Sequence, residues 1–168
     1  LAHQWFGDLI TCYGWRELWL NEGFAKYWDQ RWSEDAWGEA DFAVTKRRYR
    51  KSAMGSPKHP MSAAGHTKNG RDNIAVYTRG SSVLRMLETH LGREVFDASI
   101  RRYIGENKGR LVESTDLRRA LEDESGKPHF VNPGAFADLV AAYAPPLQGV
   151  VLNAVSYTHL RAHETATY

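Results

Sequence analysis

The sequence predicts a mainly α-helical protein, and two observations support that prediction. Between residues 19 and 32 the apolar side chains recur three or four positions apart, as one buried face of a helix requires. Glycine and proline then divide the following residues into segments of helical length. Only residues 149–155 have much of the β-branched character that is typical of a strand.

The predicted elements follow one another along the chain. The first helix includes residues 19–32, and Ser33 is a candidate cap for a second helix that ends near Gly55. Residues 55–75 are rich in glycine, proline and asparagine, which predicts a loop. Four more helices are expected: residues 83–91 before Gly92, residues 95–104 before Gly105, a helix capped by Ser114 or Thr115 and ended by residues 126–128, and residues 135–143.

Composition limits the classes of function. The 168 residues are 42% hydrophobic and 25% charged, with a formal net charge of +2, which is enough for one core and argues against nucleic acid as a partner. The basic stretch 46–51 is interpreted as a solvated helix surface. One cysteine excludes an internal disulfide, and no apolar run reaches the length of a membrane helix. The compartment is left undecided, with a slight preference for the cytoplasm.

Two residues suggest a metal site. The chain opens at Leu1 inside what looks like a helix that includes His3, and Glu22 follows His3 nineteen positions later. Imidazole nitrogen and carboxylate oxygen both suit Zn²⁺, and a catalytic zinc site takes three protein ligands and leaves one position open. On spacing alone, however, a packed histidine and a solvated carboxylate are the commoner outcome.

The motifs around these residues resemble the M1 family of zinc aminopeptidases, in which H-E-x-x-H is followed after eighteen residues by a glutamate ligand within N-E-G-F-A. Leu1–His3 matches the last three positions of H-E-x-x-H, and Trp19–Ala25 contains the second motif. Further blocks match in the same order: Tyr77–Leu87, Asp116–Lys127, and the pair His59–Pro60 in the preceding loop. The resemblance covers roughly residues 1–128.

The resemblance implies a fold and a set of roles. The chain would be the C-terminal helical part of a thermolysin-like zinc metallopeptidase catalytic domain. His3 and Glu22 would be two of the three zinc ligands, and Tyr77 would donate a hydrogen bond to the oxyanion that develops on the peptide carbonyl. Asp29, seven residues after Glu22, could orient a metal ligand or could equally be a surface charge. The substrate would be a peptide with a free N-terminus.

The same resemblance implies that part of the machinery lies outside this chain. The first histidine ligand, the general-base glutamate and the family's G-x-M-E-N segment are not in the sequence. We therefore expect the chain alone to be inactive. Two alternatives remain open at this point: a non-catalytic helical interaction module of the same fold family, and an epoxide hydrolase of the leukotriene type, which uses the same zinc site.

The expected domain boundaries follow from where the resemblance ends. Residues 1–146 are assigned to a partial M1 catalytic domain, and residues 147–153 to the possible start of a β segment. Residues 154–168 resemble a translated sequencing adapter and are expected not to belong to the natural protein, so the chain is expected to be truncated at both ends.

Overall fold

The structure, a computed structural model, describes residues 1–55 and 75–126. These residues form helices α1 Trp19–Trp37, α2 Glu39–Gly55, α3 Gly80–Leu91, α4 Arg93–Asn107 and α5 Ser114–Ser125, and strands β1 Thr11–Cys12 and β2 Leu111–Val112. A π-helical turn, Ala75–Arg79, leads into α3, and short 3-10 turns lie at Ala2–Gln4 and Trp15–Glu17. The mainly α prediction is confirmed.

Helix α1 is longer than the sequence predicts. It continues through Ser33, whose hydroxyl donates to the backbone carbonyl of Asp29 one turn earlier at 2.9 Å. The prediction that Ser33 caps the second helix is therefore wrong, because its side chain is used within α1. The break comes instead at Gly38, which leaves the helical conformation with φ 89° and separates α1 from α2.

The first residues of the chain form a shorter helical element than the sequence predicts. His3 lies in a single 3-10 turn, Ala2–Gln4. Beyond that turn the chain folds back on itself, and the Gly7 backbone N–H donates to the Ile10 carbonyl at 2.8 Å. Gly7 takes φ 134°, a conformation that glycine adopts without strain and other residues rarely do.

Helices α4 and α5 form a pair whose boundaries also depart from the prediction. Helix α4 does not stop at Gly105 but continues to Asn107, whose buried side-chain amide donates to the Tyr103 carbonyl one turn earlier at 2.8 Å. Helix α5 is capped by Glu113 and not by Ser114 or Thr115. The Glu113 side chain accepts from the backbone of the first turn, while the Asp116 carboxylate accepts from the Glu113 backbone N–H at 2.9 Å.

Helix α1 lies at the centre of the hydrophobic core. Its buried side chains pack against residues from α3, α4 and α5, and the largest fully buried members include Trp19, Phe24, Tyr27, Phe96 and Tyr103. Burying each such side chain contributes about 1.5–3 kcal/mol, so this core is the main source of stability. The Phe6 ring stacks on Phe24 at 4.2 Å between centroids, which attaches the first residues of the chain to α1.

The two short strands attach the same N-terminal segment to the other end of the described chain. Strand β1 pairs in parallel with β2, with Thr11 opposite Leu111 and Cys12 opposite Val112. The Gly109 N–H also donates to the Leu9 carbonyl at 2.8 Å. The segment that carries His3 is thus held between α1 on one side and the α4–α5 connection on the other.

Several predictions lie outside the described residues. These are the helix at 135–143, the segment 147–153, the tail 154–168 and most of the loop 55–75. The domain boundaries therefore remain predictions. Within the part that the structure describes, no helix is both long enough and apolar enough to cross a membrane.

Candidate metal centre

His3 is held in one orientation by the turn on which it lies. Its Nδ1 is 3.0 Å from the backbone carbonyl oxygen of Phe6. Because a carbonyl oxygen can only accept, Nδ1 must carry the hydrogen of this bond, and the lone pair of a neutral ring is then on Nε2. Metal-binding histidines in proteins are commonly fixed in this way. The His3 side chain is 52% exposed, so Nε2 is accessible.

Glu22 lies in the first turn of α1 and faces His3. Its Oε2 is 3.4 Å from His3 Nε2, and its side chain is 19% exposed. Helix N-termini favour negative charge, because the backbone N–H groups there have no partners within the helix. The sequence places these two residues nineteen positions apart, and the fold brings their ligand atoms together.

The separation of these two atoms fits a shared zinc ion. Zinc bonds of about 2.1 Å at a tetrahedral angle place neighbouring ligand atoms about 3.4 Å apart. A direct charge-assisted hydrogen bond is shorter, about 2.7–2.9 Å. The pair also has the right chemistry, since it combines an imidazole nitrogen with a carboxylate oxygen. Two such residues do not complete a site, and no group of three potential ligands occurs among residues 1–55 and 75–126.

Tyr77 joins these two residues from another part of the chain. It lies in the π-helical turn before α3, a distortion that is frequent at functional sites, and its phenol is close enough to the Glu22 carboxylate to interact with it. Burial and this interaction with the negatively charged Glu22 raise the pKa of the Tyr77 phenol. The phenol therefore stays protonated at neutral pH and remains a hydrogen-bond donor. The residue is 38% exposed, so a ligand could reach it.

A close backbone contact sets the position of Tyr77 relative to Glu22. Gly23 follows Glu22, Gly80 starts α3, and a Cβ added to either glycine would lie 2.9 Å from the Cα of the other. No other residue type allows such an approach. The Val76 carbonyl oxygen would also lie 3.3 Å from a Cβ added to Gly23. The glycines of the two motifs therefore bring the glutamate and the tyrosine together.

Asp29 does not join this cluster. Its carboxylate Oδ2 accepts from Lys26 Nζ at 2.6 Å, and its side chain is 56% exposed. Seven residues along a helix return to the same face but advance about 10 Å along the axis, which is too far for a hydrogen bond to Glu22. The ion pair with Lys26 corresponds to the surface-charge alternative, and a metal-orienting role for Asp29 stays a prediction without a supporting contact.

Sequence reasoning missed the role of Asn21, which precedes Glu22 in the motif. Its Oδ1 accepts from the backbone N–H of Cys12 at 3.2 Å. A side-chain bond to a backbone group nine residues away leaves no pattern in the sequence. The only available signal was the position of Asn21 inside the N-E-G-F-A motif.

The chain matches a known protein family over most of its length. A family model described as the Peptidase family M1 domain matches residues 1–134. Tricorn protease-interacting factor F2 of Thermoplasma acidophilum is 35% identical over 136 residues, a match that covers 76% of this chain and 17% of that protein. Human aminopeptidase N is 37% identical over 115 residues, which cover 62% of this chain and 12% of that protein.

Solved structures agree with these sequence matches. An M1 zinc metallopeptidase from Deinococcus radiodurans superposes with a TM-score of 0.62 at 28% identity, covering 73% of this chain and 27% of that one. A form of the same enzyme bound to a Tyr-Ser-Ala substrate gives a TM-score of 0.67 at 28% identity, covering 89% and 33%. The chain spans about a sixth of the length of the curated relatives named above, or less. On this family match and these relatives, the chain belongs to the M1 family of peptidases.

Proposed function

We propose that this chain supplies part of the zinc site of an aminopeptidase, with His3 and Glu22 as two of the three protein ligands. The observation that carries the proposal is the 3.4 Å separation of His3 Nε2 and Glu22 Oε2, with Nδ1 already occupied by a backbone carbonyl. The third ligand comes from outside the described residues. The family resemblance assigns it to a histidine four positions before His3.

The proposed reaction is the hydrolysis of the first peptide bond of a substrate. A zinc ion bound by these ligands supplies Lewis acidity for the attack of water on the peptide carbonyl. Glu22 and His3 hold and orient the metal, and the Phe6 carbonyl fixes the imidazole. Tyr77, whose phenol is protonated at neutral pH, donates its hydrogen to the carbonyl oxygen as negative charge grows there.

The substrate class rests on the relatives. Several are named aminopeptidases, among them aminopeptidase N of human and rat and a probable aminopeptidase of Sulfurisphaera tokodaii. We therefore propose peptides with a free N-terminus as substrates of the whole protein. The chain covers 12%, 12% and 17% of the length of these three relatives, so the substrate is proposed for the whole protein and not for this chain alone.

Rebuilding the missing ligand tests the proposal. We would add His-Glu before Leu1, which creates the sequence H-E-L-A-H, and measure zinc retained after dialysis by elemental analysis. The extended chain is expected to retain one zinc ion per chain, because three ligands then converge. His3→Ala and Glu22→Ala in the extended chain should each reduce the retained zinc severalfold.

Asp35→Ala in the extended chain is the matched control, because it removes an exposed carboxylate near the other end of the same helix, where it pairs with Arg93. It should retain zinc like the unmodified extended chain. Hydrolysis of leucine p-nitroanilide by the extended chain, lost in Tyr77→Phe with zinc still bound, would support the role of the phenol. If zinc retention does not depend on His3 or on Glu22, the proposal is wrong.

A further inference from the structure

Asn21 connects the two segments that carry the proposed ligands. It precedes Glu22 at the start of α1, and its Oδ1 accepts the Cys12 N–H at 3.2 Å. Cys12 belongs to β1, at the end of the segment that begins with His3. The described structure therefore contains a direct polar bond from the residue beside one ligand to the segment of the other.

The segment from His3 to Cys12 is braced internally, so a bond at one end constrains the other. The Asp8 N–H donates to the His3 carbonyl at 3.1 Å, and the Thr11 hydroxyl donates to the Gly7 carbonyl at 2.6 Å. These bonds join both ends of the segment to its central turn. A displacement of Cys12 would therefore be transmitted to His3.

The Asn21 amide also lies near the turn that orients the imidazole. A Cβ built on Gly7 would be 3.5 Å from His3 Nδ1 and 3.9 Å from Asn21 Nδ2. Gly7 directly follows Phe6, whose carbonyl accepts from His3. The His3 ring and the Asn21 amide therefore both lie next to Gly7.

Aromatic packing alone does not fix the relation between the two segments. The Phe6 and Phe24 rings stack with an angle of 2° between their planes, and parallel rings resist separation more than sliding. Ligand atoms must be placed to within about 0.2 Å for a metal site to form. The hydrogen bond from the Cys12 N–H to Asn21 Oδ1 is directional, so it restrains the sliding that the stacked rings permit.

We infer that Asn21 is a positioning residue, which sets the distance between His3 Nε2 and Glu22 Oε2 by holding β1 against the first turn of α1. The inference rests on the proposed role of this pair in binding zinc. It assigns Asn21 no contact with metal or substrate. The Oδ1 atom is the important group, because it accepts the bond from Cys12.

The test uses the 168-residue chain extended by His-Glu before Leu1, so that three ligands are present, with isotope-labelled histidine, titrated with zinc chloride and followed by NMR at the Nε2 resonance of His3. His3→Ala identifies that resonance, which separates it from the other histidines. Asn21→Ala should raise the zinc concentration at half-saturation about tenfold, as loss of an orienting partner does at other metal sites. Asn21→Asp keeps an oxygen acceptor at the same place and should restore near-normal saturation.

Gln30→Ala is the matched control. Gln30 is also an amide on α1, and its Nε2 donates to Ser81 Oγ at 3.2 Å in a buried position away from His3. It should leave the zinc response of His3 unchanged. If Asn21→Ala gives no folded protein, Asn21→Ser replaces it, because serine offers a shorter acceptor and should weaken binding to a smaller degree.

The outcomes separate the two proposals. No shift of the His3 resonance with zinc in the extended chain without further substitutions would count against the metal role itself. A normal shift that Asn21→Ala leaves unchanged would overturn the positioning role alone. The positioning role is also overturned if Asn21→Asp binds zinc as weakly as Asn21→Ala, or if Gln30→Ala weakens binding as much as Asn21→Ala does.

Discussion

The two ends of helix α1 use their charged side chains differently. At the first turn, Glu22 faces a half-exposed histidine and a tyrosine, and all three side chains are open to solvent to some degree. Nine residues later Arg31 is 8% exposed, and both of its terminal nitrogens bond the Asp97 carboxylate of α4. Asp97 and Arg31 thus form a bidentate pair within the protein, whereas Glu22 and His3 present two groups that a cation can join.

A second arginine reinforces the contrast at the far end. Arg85 of α3 reaches Glu34 of α1 at 2.8 Å and Glu88 at 2.9 Å, and its guanidinium lies over the rings of Tyr27 and Phe42. Arg85 therefore links α3 to α1 through its ion pair with Glu34, and α3 to α2 through its contact with the Phe42 ring. One helix therefore keeps its structural charges and its proposed functional charges at opposite ends. Stability and metal binding should respond to different substitutions.

The largest expected effect is at the structural end. Asp97→Ala leaves the guanidinium of Arg31 buried without its carboxylate, which should lower the free energy of unfolding by about 3 kcal/mol. Asp29→Ala removes an exposed carboxylate on α1 and should cost less than about 0.5 kcal/mol. Urea denaturation measures both. Equal losses would show that burial does not distinguish the two ion pairs.

The glycine contact near the site should show the next largest effect. Gly80→Ala places a Cβ 2.9 Å from the Gly23 Cα, and since backbone cannot rotate away, we expect a loss of about 2 kcal/mol. Gly105→Ala provides the control, because nothing lies within 4 Å of its added Cβ. That substitution should raise the unfolding midpoint, with a gain of about 0.5–1 kcal/mol from helix propensity. A neutral Gly80→Ala would contradict the close approach.

Removing one charge from each end should separate stability from metal binding. Glu88→Gln weakens the bonds to Arg85 and should cost about 1.5 kcal/mol while the His3 resonance still responds to zinc. Glu22→Gln should cost about 0.5 kcal/mol or less, the size of a helix-terminus effect, but should abolish that response. The comparison fails if both variants lose stability equally, or if Glu22→Gln binds zinc normally.

The smallest expected effect is a pH dependence at alkaline pH. Burial and neighbouring carboxylates raise the pKa of Tyr27, next to Glu88, and of Tyr77, next to Glu22. A folded-state pKa above the unfolded value of about 10 gives stability that is present below that pH and is lost as pH rises further. Tyr27→Phe should reduce the alkaline loss measurably, and the more exposed Tyr77→Phe only slightly. The measurement is the denaturation midpoint of each variant and of the unmodified chain at several pH values from 9 upward.

The helices could be predicted from the sequence because their apolar positions repeat with helical spacing. Leu20, Phe24 and Tyr27 of the α1 pattern are buried, but Trp32, which the same spacing assigned to the buried face, is 61% exposed. Their ends were less predictable. Ser33 has the chemistry of a cap, but an internal bond to the Asp29 carbonyl competes with that role. Gly105 has the chemistry of a stop, but an unobstructed glycine does not end a helix whose flanking turns are buried.

The site was predictable only in part, for a similar physical reason. Spacing could not pair His3 with Glu22, and the family motifs were needed to single them out. The contacts that place them depend on backbone groups: the Phe6 carbonyl, the Cys12 N–H and the Gly23–Gly80 approach. Backbone atoms are the same in every sequence, so no residue pattern indicates which of them will be used.

The pairing of β1 with β2 has a consequence for the order of folding. Thr11 lies opposite Leu111, so the loop that this pairing closes contains most of the described chain. Closing such a loop costs more entropy than forming a helix, and long-range pairs form late. During synthesis His3 emerges well before Leu111, yet its segment gains this support only after α4 and the turn beyond it have been made. Of the two proposed ligands in this chain, the one that is synthesised first is therefore the one whose supporting contacts are completed last.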